Sequence, residues 1–159
     1  MDNVKELLLE KAIAKGICDE GAKRITNSDR EELVKYYLTN PDWAMERNIP
    51  DLQTLRDEFS DLDDKGIFVG REFHGETLSD RLVYILHDCH GTIRVGLNTD
   101  KGIAPMLYVA NGCRLRIIGT GIETQREPMM IPIYIIGAND ISARRNRYVK
   151  FTIFKKQIK

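Results

Sequence analysis

The stretch YILHDCHGTIRV, Tyr84 to Val95, sets four polar side chains, His87, Asp88, Cys89 and His90, between two apolar runs. Aligned on its tyrosine it matches YVANGCRLRI from Tyr108 and YIIGANDISA from Tyr134, at steps of 24 and 26 residues. In each copy a strand-like run ends in polar or glycine residues, and the fifth position after the tyrosine holds Cys89, Cys113 or Asn139. Apolar residues then alternate, Ile93 with Val95, Leu115 with Ile117 and Ile141 with Ala143, which is the period of a strand with one buried face. The pattern predicts a repeated strand-corner-strand unit in which the cysteine fills a tight inward corner. Units of this size bury a face only against their neighbours, which points to a β-roll or short solenoid, with a sandwich as the alternative.

The same four residues invite a metal reading, because Cys and His are zinc ligands. Their spacing argues against it. Zinc knuckles leave two or more residues between paired ligands, whereas these donors are adjacent or one apart. Asn139, in the sister corner, is not a zinc ligand, so no metal is expected. Cys89 beside His87 or His90 makes a thiolate pair on paper, but it sits in a β run rather than at a helix N-terminus, where the dipole would lower its pKa. The run GTGIETQ from Gly119 lacks the following helix and Lys-Ser/Thr pair of a phosphate cradle, and DLDD at Asp61–Asp64 lacks the spacing of a calcium loop. No catalytic, cofactor or metal residue is assigned, and the chain is read as a scaffold rather than an enzyme.

Before Gly66 the period is helical. Val4, Leu7, Leu8 and Ala12 share one helix face and Gly16 ends it. Ser28 with Glu31 reads as a capping box for SDREELVKYYL. Pro41 and Pro50 each stand where a short helix would start, near 41–47 and 50–59. Trp43, Tyr36, Tyr37, Leu55 and Phe59 form the expected core of this cluster. After Gly66, strands are expected at 66–69, 82–87, 92–97, 106–110, 114–118, 131–136, 140–143 and 148–154. The predicted class is therefore α+β, with a small helical module at 1–65 followed by an all-β module at 66–159.

The chain has 159 residues, 42% hydrophobic and 30% charged, with three cysteines, which suits a folded protein with free thiols from a reducing compartment. No apolar run approaches the ~18 residues of a membrane span, and the amphipathic start is not a signal peptide. Net charge is zero but polarised: −6 over residues 1–65 and +6 over residues 66–159. The tail RRNRYVKFTIFKKQIK holds seven bases (Arg144, Arg145, Arg147, Lys150, Lys155, Lys156 and Lys159) and no acid. It reads first as an edge strand blunted by lysines and second as a phosphate-binding arm. Neither nucleic acid nor a membrane is expected as a partner.

The run GIC at Gly16, then LVKYYLTNPDWAMERNIPDLQTLRDEF and GIFV at Gly66, resembles short proteins encoded by crAss-like phages and prophages of gut Bacteroidales. The resemblance lies in Tyr37-Leu38, Asp42-Trp43, Asn48, Pro50, Phe59 and Gly66-Ile67-Phe68-Val69, a helical head ahead of a β-repeat tail. It covers residues 16–70 as motif, and the tail here departs in having fewer and longer repeats. The resemblance implies a phage context and supplies no catalytic residue. The expected role is a virion structural or accessory subunit, such as a capsid decoration, head-fibre or tail-associated protein, folded in the bacterial cytoplasm and carried in the virion. The alternative is a non-virion phage protein that inhibits a host protein. A carbohydrate-binding ladder of Tyr84, Tyr108 and Tyr134 is a third reading.

The segment PMMIPIYIIG gives the expected interface: Met129, Met130, Ile131, Ile133, Tyr134 and Ile135 leave almost no polar break, so both faces of that strand need cover. Pro132, without an amide donor, places the strand at an edge or bulge. With Trp43 and Tyr37 from the helices, these residues are predicted to bury themselves against other virion proteins or in a homo-oligomer, a trimer before a dimer. The intramolecular alternative puts the strand between the β layer and the helices.

Overall fold

The computed structural model describes residues 2–96 and 104–158. Leu97, at the end of the strand expected at 92–97, and Lys159 of the basic tail lie outside the described residues. Five helices come first: α1 (Asp2–Ala14), α2 (Asp19–Asn27), α3 (Arg30–Thr39), α4 (Pro41–Glu46) and α5 (Leu52–Glu58), followed by a 3-10 turn at Asp63–Lys65. Nine strands follow: β1 (Ile67–Val69), β2 (Glu72–Leu78), β3 (Val83–His87), β4 (His90–Gly96), β5 (Met106–Ala110), β6 (Arg114–Thr120), β7 (Met129–Ile136), β8 (Asp140–Arg144) and β9 (Val149–Lys156).

Side-chain caps set the helix boundaries. Gly16, at φ +85°, takes the left-handed conformation after α1. α3 is capped by Asp29, whose carboxylate accepts the Glu32 N–H at 2.8 Å, rather than by Ser28. Ser28 instead closes α2, donating its hydroxyl to the Arg24 carbonyl. Asp51 caps α5, accepting the Thr54 N–H at 2.9 Å, so Pro50 precedes the helix rather than opening it; Pro41 does open α4.

Odd strands form one five-stranded sheet, β1-β3-β5-β7-β9, and even strands a four-stranded sheet, β2-β4-β6-β8; all seven pairings are parallel. The chain therefore alternates between the sheets and adds one strand to each in turn. Phe73, Leu86, Ile93, Leu107, Ile117 and Ile133 belong to the core between them. A second core, with Leu8, Val34, Met45, Leu55 and Phe59 from the helices, includes Ile67, Ile85, Tyr108 and Ile136 of the larger sheet.

This corrects the expected fold class. The molecule is not a helical module followed by an all-β module. It is a mixed α/β domain with two parallel sheets, in which the helices are layered on the outer face of the larger sheet and share a core with it. The physical reason is visible in the strands. β3, β5 and β7 are buried on both faces and read as unbroken apolar runs, as parallel strands covered on both sides do. β4 and β6 have one face in solvent and alternate.

The strand 129–136 is thus an interior strand, paired with β5 on one side and β9 on the other. Pro132 is accommodated because it pairs only with Thr152 of β9; the ladder with β5 begins at Ile133. Ile131, Ile133 and Ile135 face the core between the sheets, Met129 packs against its rim, and Tyr134 points toward the helices. Trp43 and Tyr37 are half-buried against the core shared by helices and larger sheet. Of the eight residues expected at an interface, only Met130, 57% exposed, presents itself to solvent.

Candidate functional site

The four residues of HDCH diverge. His87, 1% exposed, ends β3 and turns outward beneath the helices. Its Nε2 lies 2.7 Å from Tyr37 Oη of α3, and its Nδ1 lies 2.7 Å from Asn111 Nδ2 at the next corner. With Asn111 donating to Nδ1, the neutral ring keeps its proton on Nε2 and donates to Tyr37. Burial pushes the His87 pKa down to about 3 and raises that of Tyr37. Asp88 takes the left-handed conformation at φ 53° and pairs with Arg56 of α5. Cys89 points inward, and His90 stands on the outer face of the smaller sheet, 3.5 Å from Glu72 and 3.6 Å from Asp88. Among the described residues no group of three or more His, Cys, Asp or Glu is placed to hold a metal.

The corners form a ladder. The Cys89 N–H donates to Cys113 Sγ (3.4 Å), the Cys113 N–H donates to Asn139 Oδ1 (2.8 Å), and Asn139 Nδ2 donates to the Ile136 carbonyl (3.0 Å). Each corner side chain thereby satisfies an amide that the bend would leave unpaired. The residue leaving each strand, Gly70, Asp88, Asn111 or Gly137, has positive φ, which glycine, aspartate and asparagine tolerate best. Hydrogen bonding to Cys113 and burial raise the Cys89 thiol pKa, as suits a thiol packed at 0% exposure in the corner.

The tyrosine alignment breaks at its first member. Ile85, not Tyr84, pairs with Tyr108, which in turn pairs with Tyr134. The corner after β3 is one residue shorter than the two that follow it, so the cysteines align while the tyrosines do not. Tyr84 faces the inter-sheet core and receives the Asp80 and Arg81 amides at its hydroxyl (2.9 and 3.1 Å). Tyr108, Tyr134 and Phe154 stack at 4.6 and 4.9 Å between ring centres on the helix-bearing face. Tyr84 is thus not part of that ladder.

No family model, no curated protein and no solved structure matches this chain.

Two surfaces stand out among the described residues. The first is the outer edge of β9, which pairs only with β7. Ile153 lies on the row of Ile133 that faces the inter-sheet core, yet it is 43% exposed, because the smaller sheet ends at β8 and no described strand stands opposite. Phe154, also 43% exposed, lies on the opposite, helix-bearing face of β9, and exposed Ile158 follows the strand. The second is the outer face of the smaller sheet. In register, His90, Arg114 and Asp140 form one row, Thr92, Arg116 and Ser142 the next, and Arg94, Ile118 and Arg144 a third. A concavity of about 370 Å³ opens there beside Arg116, Ile118, Ser142, Arg144 and Arg145. Arg144 and Arg145 belong to the basic tail whose second reading from sequence is a phosphate-binding arm; Arg94, Arg114 and Arg116 were not singled out, although TIRV and RLRI alternate them with core residues and so announce an outward basic row.

Proposed function

We propose that this chain is a non-enzymatic structural or accessory subunit of a phage particle, a capsid decoration, head-fibre or tail-associated protein that works through protein–protein contacts and self-associates, as a trimer before a dimer. The observation that carries the contact reading is the apolar end at β9. Ile153, on a core-facing row yet solvent-exposed, and Phe154, exposed on the opposite, helix-bearing face, leave apolar side chains uncovered on both faces of a strand whose edge is unpaired, a combination that marks interfaces. The resemblance of residues 16–70 to crAss-like phage proteins supports the phage setting, with folding in the bacterial cytoplasm before assembly into the virion.

Mass spectrometry of purified particles tests the setting. Stoichiometric copy number is expected, and absence from particles transfers the reading to a host-protein inhibitor. Light scattering after size exclusion tests the contact: an oligomer at tens of micromolar that Ile153→Lys converts to folded monomer is expected. A wild-type monomer at that concentration removes self-association.

A further inference from the structure

We propose that the outer face of the smaller sheet binds the phosphate backbone of duplex nucleic acid without reading its sequence, a property beyond the contact role above and on a different surface. The face is built by alternation: Ile93, Val95, Leu115 and Ile117 enter the core, so Arg94, Arg114 and Arg116 are forced outward. Register then sets Arg144 in the same row as Arg94, two strands away, so their backbones lie about 10 Å apart at the usual strand spacing. Arg116 stands one row along on the strand between them, and Arg145 lines the same concavity beside Arg144.

Arg94, Arg116, Arg144 and Arg145 are all exposed, and none forms an ion pair with a described carboxylate; Arg114 alone is matched, 3.9 Å from Asp140. Four unneutralised guanidiniums, three on one rigid sheet and Arg145 just beyond it, repel each other, and an anion with several charges relieves that repulsion. Planar guanidinium forks suit phosphate oxygens, and the hydroxyls of Thr92 and Ser142 flank Arg116 in its row as neutral donors, the mixture that phosphate contacts use.

The alternatives fit less well. A protein interface needs a desolvated apolar or aromatic centre, and here half-buried Ile118 is the one apolar residue in the three outward rows of β4, β6 and β8. A single strand would need a series of aromatic platforms for its bases, and those rows hold no Phe, Tyr or Trp, only His90 at one end. The described residues of the rows lie on strands, with no loop or helix among them to reach base edges, so the contact is with the backbone alone.

The full chain is titrated into a fluorescently labelled 20-base-pair DNA duplex, reading anisotropy between 25 and 200 mM NaCl. With four guanidiniums engaged, log K should fall against log salt with a slope of about −3.6. The triple variant Arg94→Ser/Arg116→Ser/Arg144→Ser should bind at least tenfold more weakly and flatten the slope to about −1. The milder Arg94→Gln/Arg144→Gln pair should weaken binding in the same direction, and covers the case in which the triple variant does not fold. The pair Lys150→Ser/Lys155→Ser, which removes two charges from the β9 edge, should leave affinity within twofold. No salt-dependent binding, arginine variants that bind like wild type, or a lysine pair that loses as much as the arginine pair would each overturn the assignment. So would polyglutamate competing as well as duplex, which points to an acidic protein, or a single strand binding more tightly than duplex.

Discussion

At the scale of single residues, His87 links three parts of the molecule: α3 through Tyr37, β3 through its own backbone, and the following corner through Asn111. Its folded pKa of about 3 lies below the ordinary value of 6.5, so the unfolded chain binds more protons between those values. The contribution is fully present above pH 6.5 and is lost as pH falls through that window, at up to about 1.4 kcal/mol per pH unit. Urea melts at pH 7.5 and 5.5 should therefore show lower stability at 5.5, and His87→Gln should remove most of the difference. Tyr37→Phe, which deprives the buried imidazole of a partner, should cost about 1–3 kcal/mol at pH 7.5. A different residue sets a steric limit. A Cβ on Gly91, at φ 110°, would fall 2.0 Å from the Phe73 carbonyl oxygen, inside the β2–β4 ladder. Gly91→Ala should lower stability by at least ~2 kcal/mol, measured by thermal melting.

At the scale of elements, what could be read in the sequence depended on how each strand is covered. β4 and β6 alternate cleanly, so their existence and inward residues were legible. The corners were legible too, because Cys89, Cys113 and Asn139 occupy equivalent positions in one hydrogen-bonded ladder. β2 was not, since EFHGETL offers only Phe73 and Leu78 to the core and a register shift between His74 and Glu76 breaks its period. α2 escaped for a similar reason: of DEGAKRITN only Gly21 and Ile25 are buried. The most consequential misreading was β7. Its apolar run signalled cover on both faces, but a linear pattern does not say whether that cover is a second molecule or the chain's own helices. The two possibilities separate by mutation. Ile133→Lys places a charge at a position of 0% exposure and should abolish soluble folding, whereas Ile153→Lys at the open end should leave the fold intact. Circular dichroism of the two purified variants checks this. The corner ladder makes a further prediction: Asn139→Ala strands the buried Cys113 amide and should cost about 1–2 kcal/mol, and Asn139→Cys, which copies the sister corners, should recover part of it.

At the scale of the whole molecule, the order of layers is helices, larger sheet, inter-sheet core, smaller sheet and solvent. The acidic segment, residues 1–65 with net −6, thus lies on the side of the molecule away from the unpaired arginines of β4, β6 and β8. A formal charge of zero conceals two oppositely charged poles a few layers apart. A chain with that charge spread evenly would pass through ion exchangers of either sign near neutral pH. This one should be retained at low salt by both, entering a quaternary-ammonium resin helix side first and a sulfonate resin sheet side first. Removing Arg94, Arg116 and Arg144 should abolish retention on the sulfonate resin while lengthening it on the other, so a pair of columns reports the orientation of the molecule.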